Sequence, residues 1–449
     1  MSNGKYLVTG ATGFTGGAVT DLLLARGKEV RVLIRDQSKA QQFLRRGIEV
    51  VIGDLNDESA IEKAVDGISC ILHIGALFRQ AGLPESEFHR VNVEGTRLLI
   101  EKASSAKVPK MVHCSTVGVL GHIQSPPANE ATPYNPGDPY QRSKMEGEKL
   151  FLEAVAEGKL QGCVIRPAMI YGPGDTRTLK IFGPIAKRRF FYVGRGDALV
   201  HFIDVRDLAE SFLLAAENTN ANGEIFIIAG ETSLPLRELS GIIANIMGVT
   251  EPWIRLPVKP MQLLGSLCEA ICTPLRINPP IFRRRVDFFT KDRCFDITKA
   301  RRILGFNPSR TLVQELVEII ESYIQMGKID ISLIKRPSVM LRALSGQIAL
   351  WREGDTPMYG WSQEQVIGTI SHSLLQTEFP EADLKAINEA VQRRGEWTGM
   401  LLHRKKSGEP IRVKSTWKLV KLPSHADPFI LELNHPIEEP SQKNMVAFA

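Results

Sequence analysis

Tyr6-Leu7-Val8-Thr9-Gly10-Ala11-Thr12-Gly13-Phe14-Thr15-Gly16 opens the chain with an apolar strand that runs into a glycine-punctuated turn. Val19, Leu22, Leu23 and Leu24 follow at the spacing of an amphipathic helix. Glycines at a strand-to-helix turn let the backbone approach a pyrophosphate, which then rests on the positive helix N-terminus. Gly10, Thr12, Gly13, Phe14 and Gly16 are therefore the first expected cofactor contacts.

Working outward, strand and helix patterns alternate as far as about residue 166. Apolar strands are expected at Tyr6–Val8, Val30–Ile34, Glu49–Ile52, Cys70–Ile74, Met111–Cys114 and Cys163–Ile165. Near-continuous apolar strands separated by helices predict a parallel sheet covered on both faces, an α/β doubly wound fold. Later segments are longer and richer in Pro and Gly. They predict a small substrate lobe interleaved with the last sheet elements.

Tyr140-Gln141-Arg142-Ser143-Lys144 places a phenol and an ammonium on one helix face, four residues apart. A neighbouring positive charge favours phenolate and is expected to pull the Tyr140 pKa down from near 10. Such a phenol can exchange a proton with an alcohol or carbonyl while hydride moves to or from a nicotinamide. Cys114-Ser115-Thr116 closes an apolar strand and offers hydroxyls for the substrate oxygen; spacing alone does not separate Ser115 from Thr116.

From about residue 4 to residue 328 these motifs resemble the extended short-chain dehydrogenase/reductase family. The resemblance is carried by the glycine turn, Gly53-Asp54-Leu55, Asn92 in Val91-Asn92-Val93-Glu94-Gly95-Thr96, and the Thr116/Tyr140/Lys144 set. Arg166-Pro167, Tyr171-Gly172-Pro173-Gly174-Asp175 and His201 through Ala209 extend it. It implies Thr116 on the reacting oxygen, Tyr140 as acid/base and Lys144 on the nicotinamide ribose. Asp54 and Leu55 would flank the adenine.

The second strand ends Val32-Leu33-Ile34-Arg35-Asp36, with Lys39 just beyond. An acid at a strand end binds both ribose hydroxyls, whereas Arg accommodates a 2′-phosphate. Arg35 and Lys39 therefore favour NADP, and NAD stays open because Asp36 would reach the ribose if the strand ended one residue later. Val117-Gly118 follow Thr116 where sugar-dehydrating relatives carry Asp-Glu. Arg166-Pro167-Ala168-Met169 is similar to the 3β-hydroxysteroid dehydrogenase and dihydroflavonol reductase branches, which act on bulky, largely apolar alcohols and ketones. Met169, Phe190, Phe191 and Phe282 are expected around such a substrate. The alternatives are a nucleotide-sugar epimerase and, from another class, a non-catalytic NADP-sensing protein.

A chain of 449 residues exceeds one ordinary domain. Its 43% hydrophobic and 24% charged content is that of a soluble globular protein. A net charge of +6, spread among acids, leaves no nucleic-acid footprint. Six cysteines without a CxxC pair predict a reducing, cytoplasmic setting with no disulfide and no metal. Met1-Ser2-Asn3-Gly4-Lys5 leads straight into the first strand, so no signal peptide is expected. The apolar run from Met261 to Leu275, flanked by Lys259, Arg276 and Arg283-Arg284-Arg285, is either a cover for the substrate site or a peripheral membrane contact.

After a linker at 331–340 the pattern changes. Ala349-Leu350-Trp351, Tyr359-Gly360-Trp361, Gly395-Glu396-Trp397-Thr398-Gly399 and His403-Arg404-Lys405-Lys406-Ser407-Gly408 fall in an order that resembles a PAS sensor domain. Short helices, one longer helix and three antiparallel strands are expected over 341–438, as an α+β domain, with a loose tail at 439–449. The resemblance implies regulation or pairing into a homodimer. It leaves the PAS ligand open, because no Cys follows Cys294 for a light-sensing flavin and His372 is a lone candidate for haem.

Overall fold

The computed structural model describes residues 4–80, 82–272, 283–354, 357–420 and 427–437. Phe282 and the last part of the Met261–Leu275 run lie outside those residues. Seven parallel strands form the main sheet: β1 Tyr6–Thr9, β2 Val30–Ile34, β3 Glu49–Ile52, β4 Cys70–His73, β5 Lys110–Cys114, β6 Gln161–Pro167 and β7 Ile225–Ile228. Their order is β7-β6-β5-β4-β1-β2-β3. The expected strands are all present, within two residues at each end.

Alternation of side chains explains why these strands read as unbroken apolar runs. Tyr6 and Val8 of β1, with Cys70 and Leu72 of β4, join one buried cluster with Val19 and Leu23 of helix α1 (Phe14–Ala25). Leu7 and Ile71 point the other way. They join Ile61 of α2 (Glu58–Val65), Leu99 of α3 (Gly95–Ser105) and Phe151 of α4 (Pro139–Ala156). Helices thus cover both faces, and the sheet is doubly wound. The strand order reverses between β1 and β4, and sheets of this kind bind ligands outside the carboxyl ends of the strands at such a switch point.

Helix α5 (Val205–Glu217) packs beside α1 on the first face. Its N-cap Asp204 accepts from the Arg206 amide at 2.8 Å and pairs with the Arg206 guanidinium. Later come α6 (Val258–Cys272), a helix at Arg283–Thr290 and α7 (Leu312–Gln325).

Packing divides the chain into two compact units: residues 1–177, 191–237 and 254–310 form one, and residues 178–190, 238–253 and 311–449 form the other. The second contains a five-stranded antiparallel sheet made of β8 Ser338–Ala343, β9 Ile348–Arg352, β10 Glu396–Arg404, β11 Pro410–Val420 and β12 Phe429–Pro436, in the order β9-β8-β12-β11-β10. Two four-residue helices and α8 (Leu384–Arg394) connect β9 to β10. The expected short helices, longer helix and three strands are therefore present. The expected linker at 331–340 holds a 3-10 turn at Ile331–Leu333, and β8 begins within it. On the helix-facing side Arg342, fully buried, pairs with Glu432 at 2.9 Å and stacks 4.1 Å over Trp417. His372 packs against Phe379 and Trp417, and burial first of all lowers its pKa to about 4.

Candidate active site

The glycine turn sits at the end of β1. Gly10 adopts φ +76°, and a Cβ there would lie 2.7 Å from the Gly75 amide nitrogen. A Cβ on Gly16 would lie 2.2 Å from the Gly10 carbonyl oxygen. Glycine is required at both positions because backbone meets backbone. Gly13 is the N-cap of α1 and supplies no side-chain cap, so the first amides of the helix face outward unprotected. This cradle fits a pyrophosphate.

At the next strand, β2 ends at Ile34, so Arg35 is the first residue past it. Arg35 is exposed and lies 3.9 Å from Asp54. Asp36 is engaged elsewhere: its carboxylate accepts from the Ser38 amide at 3.0 Å and the Ser38 hydroxyl at 2.6 Å, and these bonds hold its pKa below the usual range. Lys39 closes the same 3-10 turn. Leu55 packs toward Gly75 and Gly95, where added Cβ atoms would come within 3.3 and 2.9 Å of it.

Beyond β5, the Thr116 oxygen accepts from the Gly118 amide at 3.1 Å and caps a short 3-10 turn. Ser115 is 3% exposed, and its Oγ has no hydrogen-bond partner among the described residues. The structure thus gives the two hydroxyls different surroundings. Thr116 has one lone pair taken and its O–H free to donate, whereas Ser115 is sealed.

Asp138 caps α4 by accepting from the Gln141 amide at 2.9 Å, which sets Tyr140 and Lys144 in the first turns of the helix. Both are buried, at 9% and 3% exposure. Lys144 makes no hydrogen bond or ion pair among the described residues. Asn92 lies in a π-helical turn at Arg90–Glu94 and fastens the neighbourhood together. It donates to the Ser143 hydroxyl at 2.9 Å, accepts from the Leu77 amide at 2.7 Å and donates to the Leu77 carbonyl at 3.1 Å. The loop after β4 is thereby tied to α4.

The expected electrostatics of Tyr140 need correction. Burial, the largest influence, pushes the phenol above its ordinary value of 10, with Cys114 adding to the rise. Arg79 and Arg177, not Lys144, are the charges that oppose it. Burial likewise lowers the Lys144 ammonium. The sequence placed the pair on one helix face but carried no information on how deeply both would be desolvated.

Several contributors escaped the sequence reading. Arg79 lies 5.2 Å over the Tyr140 ring and is held by Asp138 at 3.0 Å. Phe78 meets the same ring edge-on at 5.1 Å. Arg177, anchored on Asp175 at 2.7 Å, lies over Phe14 and Phe78 at 5.2 and 5.9 Å. Beneath them His73 bridges Thr9 at 2.8 Å and Thr96 at 3.1 Å, and burial lowers its pKa to about 3. Arg166 of the Arg-Pro motif pairs with Glu148 at 2.6 Å, both fully buried, and Tyr134 donates to the same carboxylate at 2.7 Å. A signal for Glu148 existed in principle: an acid inside the buried stripe of α4 demands a buried cation.

A parallel sheet in the order 3-2-1-4-5-6-7, a glycine turn at its switch point, and Thr116 after β5 with Tyr140 and Lys144 on α4 are the marks of the short-chain dehydrogenase/reductase class. Residues 6–229 match the model of the NAD dependent epimerase/dehydratase family. The chain is also 31% identical over 317 residues to sterol demethylase protein B of Methylococcus capsulatus, covering 68% of this chain and 94% of that protein. The chain belongs to this family, the extended short-chain dehydrogenase/reductases, and is an enzyme. It is 29% identical to a 4-hydroxy-2-methyl-3-oxo-4-farnesyl-3,4-dihydroquinoline-1-oxide ketoreductase of Stigmatella aurantiaca, covering 67% of this chain and 91% of that one. Among solved structures, that of gox2253 superposes with a TM-score of 0.63 at 29% identity, covering 72% of this chain and 99% of that one.

Proposed function

We propose that this enzyme is an NADP-preferring reductase or dehydrogenase of a bulky, largely apolar ketone or alcohol. The observation that carries the reading is the burial of Tyr140 and Lys144 one turn apart on α4, both within electrostatic reach of Cys114 at the carboxyl end of β5, two residues before Thr116. Apolar character in the substrate is supported by Phe78 edge-on to Tyr140, by Phe14 under the same Arg177 guanidinium that reaches Phe78, and by relatives named for a sterol and for a farnesylated quinoline. The preference for NADP is supported by the end of β2 at Ile34, the exposed Arg35, and the engagement of Asp36 with Ser38.

A bound nicotinamide would supply or accept the hydride. The glycine turn and the α1 N-terminus would hold the pyrophosphate, Arg35 and Lys39 the 2′-phosphate, and Asp54 with Leu55 the adenine. Lys144, without a hydrogen-bond or ion-pair partner among the described residues, offers its donors to ribose hydroxyls. Thr116 donates its O–H to the substrate oxygen, since the Gly118 amide already occupies one of its lone pairs. Tyr140, kept protonated by burial, stands as the acid that passes its proton to a carbonyl oxygen as that oxygen becomes an alcohol. The raised phenol favours reduction near neutral pH, and oxidation would speed up at high pH.

We further propose that the C-terminal sheet is a PAS-like module that regulates the enzyme or pairs it into a homodimer. Its strand order and the helices between β9 and β10 support this. The visible spectrum of the purified chain tests for a bound flavin or haem.

The enzymatic reading is tested by NADPH oxidation against sterol, flavonoid and simple ketones, with wild type and Tyr140→Phe. Loss of the acid should cost about 100- to 10,000-fold in turnover, with NADPH affinity near wild type. Activity within tenfold of wild type would remove Tyr140 from the chemistry.

A further inference from the structure

Helix α6 carries its leucines on the outside. Pro260, Leu263, Leu264, Leu267 and Ala270 fall within about 120° of one another at the helical spacing of 100° per residue, and all five are exposed. The three leucines are 63%, 43% and 52% exposed. Gln262, Gly265 and Ser266, the polar and small residues, are less exposed or buried. This is the reverse of a helix that covers a core, where the leucines would turn inward. The short ladder leading into the helix pairs Tyr192–Val193 with Arg255–Leu256 and adds exposed Phe191 and Ile254.

The sequence that carries this stripe is predominantly basic. Between Ile254 and Arg285 the sequence holds Arg255, Lys259, Arg276, Arg283, Arg284 and Arg285 against the single acid Glu269. Arg255, three residues before the helix, and Lys259, in its first turn, are both exposed. Among the described residues no helix is long and apolar enough to cross a membrane. An exposed leucine stripe with a basic border suits a helix lying in the plane of an anionic lipid surface. A second copy of the chain fits less well, because a self-complementary contact would bring like charges together.

We propose that the α6 face, Leu263, Leu264 and Leu267 with its Arg255 and Lys259 border, docks the enzyme on an anionic membrane surface. Leucines enter the headgroup boundary while the cations meet lipid phosphates. This docking is independent of the Tyr140 chemistry. It would place an enzyme for apolar substrates where such molecules dissolve.

The test is flotation of the full chain with vesicles of phosphatidylcholine mixed with phosphatidylserine, and with pure phosphatidylcholine, at low and high salt. Wild type should bind the mixed vesicles at least about tenfold more tightly than the pure ones, and salt should weaken that binding. Leu263→Gln/Leu264→Gln/Leu267→Gln should lose it by about tenfold or more while retaining NADPH affinity. Arg255→Gln/Lys259→Gln, which disturbs no apolar packing, should erase the preference for phosphatidylserine even if the triple variant misfolds. Three results would overturn the proposal: wild type remaining unbound at low salt, variants binding like wild type, or a leucine-dependent dimer in place of lipid binding.

Discussion

Adjacent glycines at the start of α1 give a sharp test of the cofactor cradle. A methyl added at Gly16 would sit 2.2 Å from the Gly10 oxygen, 2.6 Å from its carbonyl carbon and 2.9 Å from the Ala11 nitrogen. All three are backbone atoms, so no rotamer change relieves the overlap. Reaching even 3.0 Å from the oxygen requires the turn to move by about 0.8 Å. Overpacking of this kind costs about 1–3 kcal/mol. Expressed wholly in cofactor affinity, that is about 5- to 150-fold. At Gly17 the nearest atom to an added methyl is the Ala11 oxygen at 3.5 Å, an ordinary contact. Gly17→Ala should therefore be neutral or stabilising by up to about 1 kcal/mol through helix propensity. Fluorescence titration of NADPH and urea unfolding would be run on both variants. If Gly16→Ala binds NADPH within twofold of wild type at an unchanged urea midpoint, the cradle does not depend on this close approach.

Glu148→Leu should destabilise the fold by about 3–5 kcal/mol, because it strands the buried Arg166 guanidinium, and Glu148→Leu/Arg166→Met should recover most of that loss; urea midpoints decide, and a single-variant cost below about 1 kcal/mol would contradict the pairing. Acid should weaken the protein as pH falls from about 6.5 toward 4, because His73, His201 and His403 have folded-state pKa values of about 3, 4 and 4, and the unfolded chain takes up protons that the folded one refuses. Each group contributes roughly 1 kcal/mol per pH unit over that window, so His73→Gln should flatten the slope by about that amount, and an unchanged slope would mean that His73 is not buried neutral. Arg35→Asp should shift the NADPH-to-NADH affinity ratio toward NADH by about tenfold to a hundredfold; a wild type that binds both equally would reverse the reading of that strand end.

The main sheet was legible because its central strands are buried on both faces: β1 and β4 are buried throughout and β2, β5 and β6 nearly so, whereas the edge strand β3 leaves Glu49 and Ile52 exposed, and the glycine turn fixed where β1 ended. Tyr140 and Lys144 were legible as a pair because helix geometry alone aligns residues four apart. Arg79 and Arg177 were not, since each reaches the ring of Tyr140 or Phe14 from a loop whose course depends on tertiary contacts, such as the grip of Asn92 on Leu77. The sign of the Tyr140 shift was also beyond the sequence, because the sum of burial and charge depends on three-dimensional surroundings. The outward leucines of α6 show the same limit: the sequence displayed an apolar run from Met261 to Leu275 without saying which of its side chains face out.

The division of the chain into two units bears on how the protein is made. The polypeptide passes between them after residues 177, 190, 237, 253 and 310, so neither is a continuous stretch. Within the second unit Lys335 donates its amide to the Met247 carbonyl at 2.9 Å, and Lys418 pairs with Glu251. On the ribosome, residues 238–253 emerge some 80 to 180 positions before the partners that will close around them. That unit can be completed only once the last strand is out. A protease nick near residue 336 would leave fragments still joined by the Lys418–Glu251 pair, and a gene shortened at that point would yield helices whose neighbours are never translated.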